Sequence, residues 1–281
     1  MITRFAPSPT GPLHLGHAFS ALTAFGLAKR SGGTCLLRID DIDQARSRPE
    51  FEAMIFDDLA WLGLTWPEPV LRQSSSAPHL ADALDRLAAL GLIYPCSCSR
   101  RDIAEAAGAP QEGVPSHGPD GRIYPGTCRG RSLADRTPGD ALRLDMARAL
   151  ALAGALPAFT EKGPERPGIH QFAEVDFTET IGDVVVSRKG GAPAYHLSVV
   201  IDDAAQKVSL VTRGLDLFDA TPIHVLLQHL LGLPVPDYHH HRLIRDAAGK
   251  RLAKRDDARS LASYRAEGKS PADIRMMLGI S

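Results

Sequence analysis

The chain reads as an α/β protein built on a Rossmann-type sheet, and three observations predict it. Strand-length apolar runs alternate with helical segments, two distant loops carry phosphate-site chemistry, and a Gly/Pro-rich stretch interrupts the alternation midway. Residues 1–5 form the first strand-like run. The segment 4–17 (RFAPSPTGPLHLGH) then brings His14, Gly16 and His17 to the start of an alanine- and leucine-rich helical segment at 18–29. A strand, a tight turn and a helix N-terminus in that order gather backbone N–H groups and the positive end of a helix dipole, which together favour a phosphate.

Further along, 34–39 reads as the second strand and 49–62 and 77–90 as helices, so a first nucleotide-binding half spans 1–92. Between 93 and 168 the alternation fails, with 108–126 rich in Gly and Pro, and this segment reads as an insertion. A second half, 169–256, resumes with strand-like runs at 181–188, 194–201 and 208–212. Thr221 and Pro222 then open a helix that Gly232 ends. The adjacent His239, His240 and His241 alternate faces on a strand, so they cannot all bind one metal and are read as strand residues near a nucleotide. After them the loop from Gly249 to Arg255 (GKRLAKR) supplies cations suited to closing over phosphates from the other side. Residues 257–281 form two short helices separated by Gly268, the second opening at Ser270 and Pro271.

Composition bounds the function. With 281 residues, 44% of them hydrophobic, the chain can bury a substantial core. A formal net charge of −1 excludes general attraction to nucleic acid, so any RNA contact must come from local patches. One such patch holds Arg242, Arg245, Lys250, Arg251, Lys254, Arg255 and Arg259; another holds Arg100, Arg101, Arg129 and Arg131. Neither an apolar run of about 18 residues nor a signal pattern is present, which implies a cytoplasmic protein with no membrane partner; a monomer is expected.

Cys35 sits in an apolar strand and is expected to pack as a small hydrophobe, whereas Cys96, Cys98 and Cys128 share the insertion. Their spacing suits one structural zinc rather than disulfides, the alternative being a metal-free reduced set. The fourth ligand is Tyr124 or His117, and general chemistry favours the imidazole over a phenolate.

Taken together these residues resemble class I aminoacyl-tRNA synthetases, with His14-Leu15-Gly16-His17 as the HIGH motif and Arg251-Leu252-Ala253-Lys254-Arg255 as the KMSKS loop. RFAPSPTGPLHLGH, LRIDDID, AYHLSVVIDD and TRGLDLFDATPIHVLLQ are similar to the glutamyl branch. The chain stops soon after the KMSKS-like loop, where a full glutamyl enzyme continues into an anticodon-binding domain, and that resembles the short glutamyl-Q tRNA(Asp) synthetases. Expected from the resemblance is a class I catalytic domain with a zinc-bearing insertion and a short helical C-terminal extension. The C-x-C…Y-x3-C spacing matches the metal site of the short enzymes and implies Tyr124 as fourth ligand.

The resemblance implies ATP-dependent activation of L-glutamate without tRNA and transfer to queuosine in the anticodon of tRNA(Asp). The rivals are charging of a tRNA 3′ end, a non-catalytic tRNA- or nucleotide-binding regulator, and a nucleotidyltransferase sharing the HxGH fold, which would leave a glutamate pocket unexplained. Glutamate would be bound by Arg4, Ala6, Ser8, Asp40, Tyr195 and Arg213, the arginines and Tyr195 on carboxylates and Asp40 on the α-ammonium. ATP, arriving with Mg2+, would meet His14, Gly16, His17, Arg251 and Lys254, of which His14, His17 and Lys254 carry catalysis. Three positions depart from the family. Asp40 stands where it carries Glu, with Asp41 or Asp43 as possible substitutes, Arg251 replaces the first Lys of the loop, and Ala253 replaces its Ser.

Overall fold

The structure, a computed structural model, describes residues 1–106, 115–155, 158–245 and 259–280. β1 (Ile2–Phe5) leads through the Pro/Gly run into α1 (Leu15–Arg30), then β2 (Thr34–Ile39), α2 (Pro49–Trp61), β3 (Leu71–Arg72) and α3 (Ala77–Ala89). Next come β4 (Ile93–Cys96), α4 (Arg100–Ala106), the hairpin strands β5 (His117–Gly118) and β6 (Gly121–Arg122), β7 (Ala141–Leu144), α5 (Met146–Ala153), and the antiparallel pair β8 (Ala158–Glu161) and β9 (Gly168–Gln171). β10 (Val185–Ser187), α6 (Tyr195–Ala205), β11 (Leu210–Gly214), α7 (Thr221–Leu230), β12 (Asp237–His241), α8 (Leu261–Ala266) and α9 (Pro271–Leu278) follow.

β1, β2 and β3 run parallel in that order, and β11, β12 and β8 run parallel in theirs. The two sets meet where β11 lies beside β1, joined by Ser209 N–H to the Ile2 carbonyl (2.9 Å) and by the paired hydroxyls of Thr3 and Thr212 (3.0 Å). From this seam the chain winds outward in both directions, and the crevice at the carboxyl ends of β1 and β11 is the switch point where α/β folds bind ligands. A separate antiparallel sheet, β10-β7-β4, lies outside the wound sheet.

Two differences from the sequence reading concern the second half. Residues 194–201 form most of α6, not a strand, so Tyr195 opens a helix instead of ending a strand. The helix is buried almost all round, and a continuous apolar run lacks the periodicity that separates helix from buried strand. Of 181–188, only Val185–Ser187 is strand, preceded by a π-helical turn at Asp176–Ile181, and it pairs with β7 instead of joining the wound sheet. β8, within the stretch read as insertion, pairs with β12.

The C-terminal helices are part of the core. Leu261, Ile274 and Leu278 are fully buried against Leu13, Leu15, Phe19 and Leu59, and Leu261 N–H donates to the Leu13 carbonyl (2.8 Å) beside α1. Ser270 caps α9 with a reciprocal capping box through Asp273. None of the helices among the described residues is long and apolar enough to cross a membrane.

Two charged groups in this core generate predictions. Arg38, 0% exposed in β2, donates to Asp40 (2.8 Å) and Asp203 (2.6 Å), while its Nη2 has no partner among the described residues. Arg38→Met strands the buried Asp40 carboxylate and leaves Asp203 with Arg4 alone, and is expected to cost roughly 3–5 kcal/mol in denaturant unfolding; a loss under about 1 kcal/mol would contradict this role. Burial, aided by neighbouring Asp57 and only partly offset by Arg265, pushes Asp58 up to about 6. Its folded pKa lies above the unfolded value near ~3.9, so its contribution is fully present below about pH 4 and is lost as pH rises through about 6. Relative to Asp58→Asn, the wild-type protein is expected to lose roughly 1–2 kcal/mol between those limits, read from unfolding free energies across the range.

Candidate active site

The crevice at the switch point is a cavity of about 510 Å3, and Arg4, Ala6, Ser8, His14, Gly16, His17, Asp40, Tyr195 and Arg213 all line it. They reach it from β1 and the run after it, the start of α1, the end of β2, the start of α6 and the end of β11. Arg251 and Lys254, with the rest of the loop they belong to, lie outside the described residues.

The floor of the cavity is a chain of buried charges. Arg4, 4% exposed, donates through Nε to Asp203 (2.9 Å) and through Nη1 to the Thr212 carbonyl (3.0 Å). Asp203, on α6, also accepts from Arg38 and is held low: burial opposes ionisation, but the Arg4 and Arg38 guanidiniums outweigh it. Asp40 has one guanidinium partner, and burial dominates there, raising its carboxyl above the ordinary value. Asp41 is committed to Ser74 (2.7 and 2.6 Å) and Asp43 to Arg46 (2.7 Å), and neither lines this cavity. Of the three aspartates considered for one role, Asp40 alone faces it.

At the N-terminus of α1 the backbone is already partly satisfied. The helix starts at Leu15, three residues earlier than the sequence suggested, with His14 as its cap. His14 Nδ1 accepts from Gly16 N–H (3.0 Å) and His17 Nδ1 accepts from His14 N–H (3.2 Å), a capping box built from two imidazoles whose rings sit 3.8 Å apart. The Gly16 N–H expected to meet an anion is therefore engaged in the cap.

Arg213 is held differently from a two-pronged carboxylate clamp. Its Nε donates to His240 (3.0 Å), its Nη1 to His224 (2.9 Å), and its Nη2 to the Leu217 carbonyl (3.1 Å) and Thr221 hydroxyl (2.8 Å). A guanidinium has five N–H donors, so these contacts leave at most one, on Nη1, to point into the cavity. Burial and the adjacent Arg213 hold His224 well below the ordinary imidazole value, so it stays neutral at physiological pH. His240 lies on the opposite face of β12 from its two histidine neighbours, and His241 lines the cavity with its ring edge-on to Phe19 (5.2 Å).

Sequence reading missed Arg38, Asp203 and His224, and placed His240 on a strand near a nucleotide without its bond to Arg213. The signals were present: an arginine inside the buried run TCLLRI, an acidic pair ending AYHLSVVIDD, and a histidine in the first turn of a largely apolar helix.

About the insertion, the structure brings Cys96, Cys98 and Cys128 together, with ligand atoms within 4.8 Å of one another. The Tyr124 hydroxyl lies 3.4 Å from both Cys96 and Cys98 sulfurs and accepts from Cys128 N–H (2.8 Å); the sulfurs of Cys98 and Cys128 are 3.5 Å apart. A tetrahedral ion with ~2.3 Å metal–sulfur bonds needs sulfurs about 3.8 Å apart, so the group is close to the required size. Burial raises the Cys128 thiol, but hydrogen bonds from Tyr124, the Ser97 backbone and Cys98 prevail and bring it down to about 6, a value at which it ionises readily for a metal. Arg143 donates to Cys96 (3.3 Å) and its guanidinium lies 3.9 Å over the Tyr124 ring, placing a cation beside the cluster. His117, on exposed β5, bonds Ser116 (3.0 Å) and lies outside the cluster.

Comparison with known proteins places the chain in a family. A family model described as tRNA synthetases class I (E and Q), catalytic domain, matches residues 1–120 and 171–280, more than half of the chain. The glutamyl-Q tRNA(Asp) synthetase of Rhodobacter capsulatus is 59% identical over 283 aligned positions, covering 100% of both chains. That of Symbiobacterium thermophilum is 43% identical, over 96% of this chain and 83% of its own. Among solved structures, the glutamate tRNA ligase of Elizabethkingia meningosepticum superposes with a TM-score of 0.70 at 26% identity, over 91% of this chain and 52% of that protein. The chain thus spans about half of that ligase. It belongs to the class I tRNA synthetases of the E and Q type, and within them to the glutamyl-Q tRNA(Asp) synthetase family.

Proposed function

We propose that the protein activates L-glutamate with ATP in the absence of tRNA and transfers the glutamyl group to queuosine in the anticodon of tRNA(Asp). The observation that carries the reading is the polar lining of one cavity: Arg4 and Arg213 for carboxylates, Asp40 for an ammonium, and the His14 and His17 imidazoles at a helix N-terminus for phosphates, with Arg242, Asp216 and His241 also on its wall. Full-length similarity to relatives bearing that name supports it.

In this reading the glutamate α-carboxylate oxygen attacks the α-phosphorus of ATP, the bond to the bridging oxygen breaks, and pyrophosphate leaves with Mg2+. Tyr195, Ser8, Ala6 and the remaining Arg213 donor hold the amino acid, Arg4 contributes positive potential from the floor, and Asp40 meets the α-ammonium. Because the Nδ1 atoms of His14 and His17 serve the helix cap, their phosphate contacts fall to Nε2. Gly16 permits close approach of the nucleotide, and Arg251 and Lys254 bring positive charge to the phosphates. Catalysis is positioning plus stabilisation of charge on the leaving group, with His14, His17 and Lys254 in that role. A queuosine cyclopentene hydroxyl then attacks the acyl carbonyl, and AMP departs as the ester forms.

Tyr124 with Cys96, Cys98 and Cys128 suits one structural Zn2+ per chain, since four protein ligands leave no open position for chemistry. Reduced cysteines and an RNA substrate fit a cytoplasmic monomer.

The decisive assay is ATP–pyrophosphate exchange. Exchange that needs glutamate and no tRNA is expected; exchange only after tRNA is added would favour charging of a 3′ end, and none under any condition would favour a non-catalytic binder. Arg213→Ala is expected to raise the glutamate KM about 10- to 100-fold with little change in the ATP KM, and Lys254→Ala to lower kcat about 100-fold or more. Normal kinetics in both would remove the site assignment. Metal analysis should find zinc at one per chain, and Cys98→Ser should lose it and lower Tm by at least about 5 °C; zinc-free protein with unaltered Tm would argue for a metal-free set.

A further inference from the structure

Two histidines touch Arg213, and each is backed by a carboxylate. On one side His240 accepts from Arg213 Nε and turns its Nδ1 to Glu161, which also accepts from the His240 and Gly163 N–H groups (2.9 and 2.6 Å). Gly163 permits this closeness, because a Cβ there would sit 2.4 Å from the His240 carbonyl oxygen. On the other side His224 Nε2 faces His196 Nδ1 (3.0 Å), and His196 Nε2 faces Asp120 (3.0 Å). Asp120 lies in the turn of the β5–β6 hairpin, outside the cavity and with its side chain 40% exposed. The hairpin is pressed onto the chain before β10: a Cβ on Gly118 would lie 2.1 Å from the Thr180 carbonyl oxygen.

We propose that this hairpin is a positioning element of the glutamate pocket, with Asp120 aiming Arg213 through His196 and His224. The inference rests on the glutamate reading and adds to it a residue that touches no substrate. Hydrogen-bond direction fixes every proton in the chain. Arg213 Nη1 can only donate, so His224 accepts at Nδ1 and carries its proton on Nε2. His196 must therefore accept at Nδ1 and carry its own proton on Nε2, which needs an acceptor, and Asp120 is that acceptor. Remove it, and His196 is free to move its proton to Nδ1, where it opposes the His224 proton. His224 then switches tautomer, presents N–H to a cation, and releases one side of Arg213. The Glu161–His240 arm still holds Nε, and Leu217 and Thr221 still hold Nη2, so the guanidinium stays in place but its Nη1 donor loses its fixed aim.

The test compares Asp120→Ala with Asp120→Asn, whose amide oxygen retains the acceptor. Asp120→Ala is expected to raise the glutamate KM about 10-fold with kcat, ATP KM and Tm unchanged, and Asp120→Asn to restore most of the loss. Nitrogen NMR of the imidazole rings should find His196 and His224 as Nε2–H tautomers in the wild-type protein and as mixtures in Asp120→Ala. Unchanged glutamate KM in Asp120→Ala, or equal losses in all kinetic parameters and Tm, overturns the positioning role. A wild-type protein with the stated tautomers but no glutamate-dependent exchange overturns the glutamate reading instead, and with it the claim that the chain serves substrate.

Discussion

The carboxylate of Asp203 is where the molecule's two halves are tied. It sits on α6, yet its partners Arg4 and Arg38 come from β1 and β2, so one buried anion binds the second half to the two strands that begin the first. Two cations for one anion would be costly in a low-dielectric interior, and Asp40 supplies the second negative charge through Arg38. The alternation Asp40, Arg38, Asp203, Arg4 fixes the spacing of β1, β2 and α6 at the point where the crevice opens. The cavity floor and the joint between the two sets of strands are thus the same set of charges, which couples any loosening of the fold to the geometry of the cavity.

Much of the first half was legible because its elements obey local rules. Thr34–Ile39 alternates toward a buried sheet, and Pro49 opens α2 in the position where a missing N–H costs least. Helix α6 was not legible, because Leu197, Val199, Val200 and Ile201 are all buried and a helix apolar on every side imitates a central strand. The cavity residues could be collected from motifs, but the use of their donors could not. That Arg213 spends four bonds on His240, His224, Leu217 and Thr221 follows from the register of β11 with β12, which pairs Arg213 with His240, and from the first turn of α7. Tertiary register of this kind has no trace in a linear pattern.

The insertion, too, has a part that sequence exposes and a part that it hides. Cys96, Cys98, Tyr124 and Cys128 announce themselves by residue type, and their clustering needs only that the chain fold back once between β4 and the turn after β6. Arg143, which counters their charge, lies on β7 opposite Tyr94, and only the antiparallel pairing of β4 with β7 brings it beside Cys96. Three thiolates and a phenolate around a divalent cation would carry net negative charge, so a neighbouring guanidinium favours the ionised donor set. The same β4–β7 sheet receives β10, the strand that precedes α6, so the cysteine cluster and the helix that carries Tyr195 and Asp203 share a support.

An arginine with most of its donors already bound is better suited to a substrate site than a mobile one. A mobile guanidinium offers many geometries and loses rotamer freedom with each contact it makes, whereas one fixed by His224, His240 and Thr221 has met that cost during folding. What remains is a localised positive charge and a single directed N–H, enough to orient one carboxylate oxygen and too little to accept a differently shaped anion. Neutral imidazoles are well suited to such a clamp, because they accept from the guanidinium without neutralising its charge, as a direct carboxylate partner would. The carboxylates Glu161 and Asp120 stand one or two rings further out, where they set proton positions and leave the field at the cavity positive. Selectivity for a small dicarboxylate in this reading comes less from the number of arginines in the pocket than from how few of their donors are left unspent.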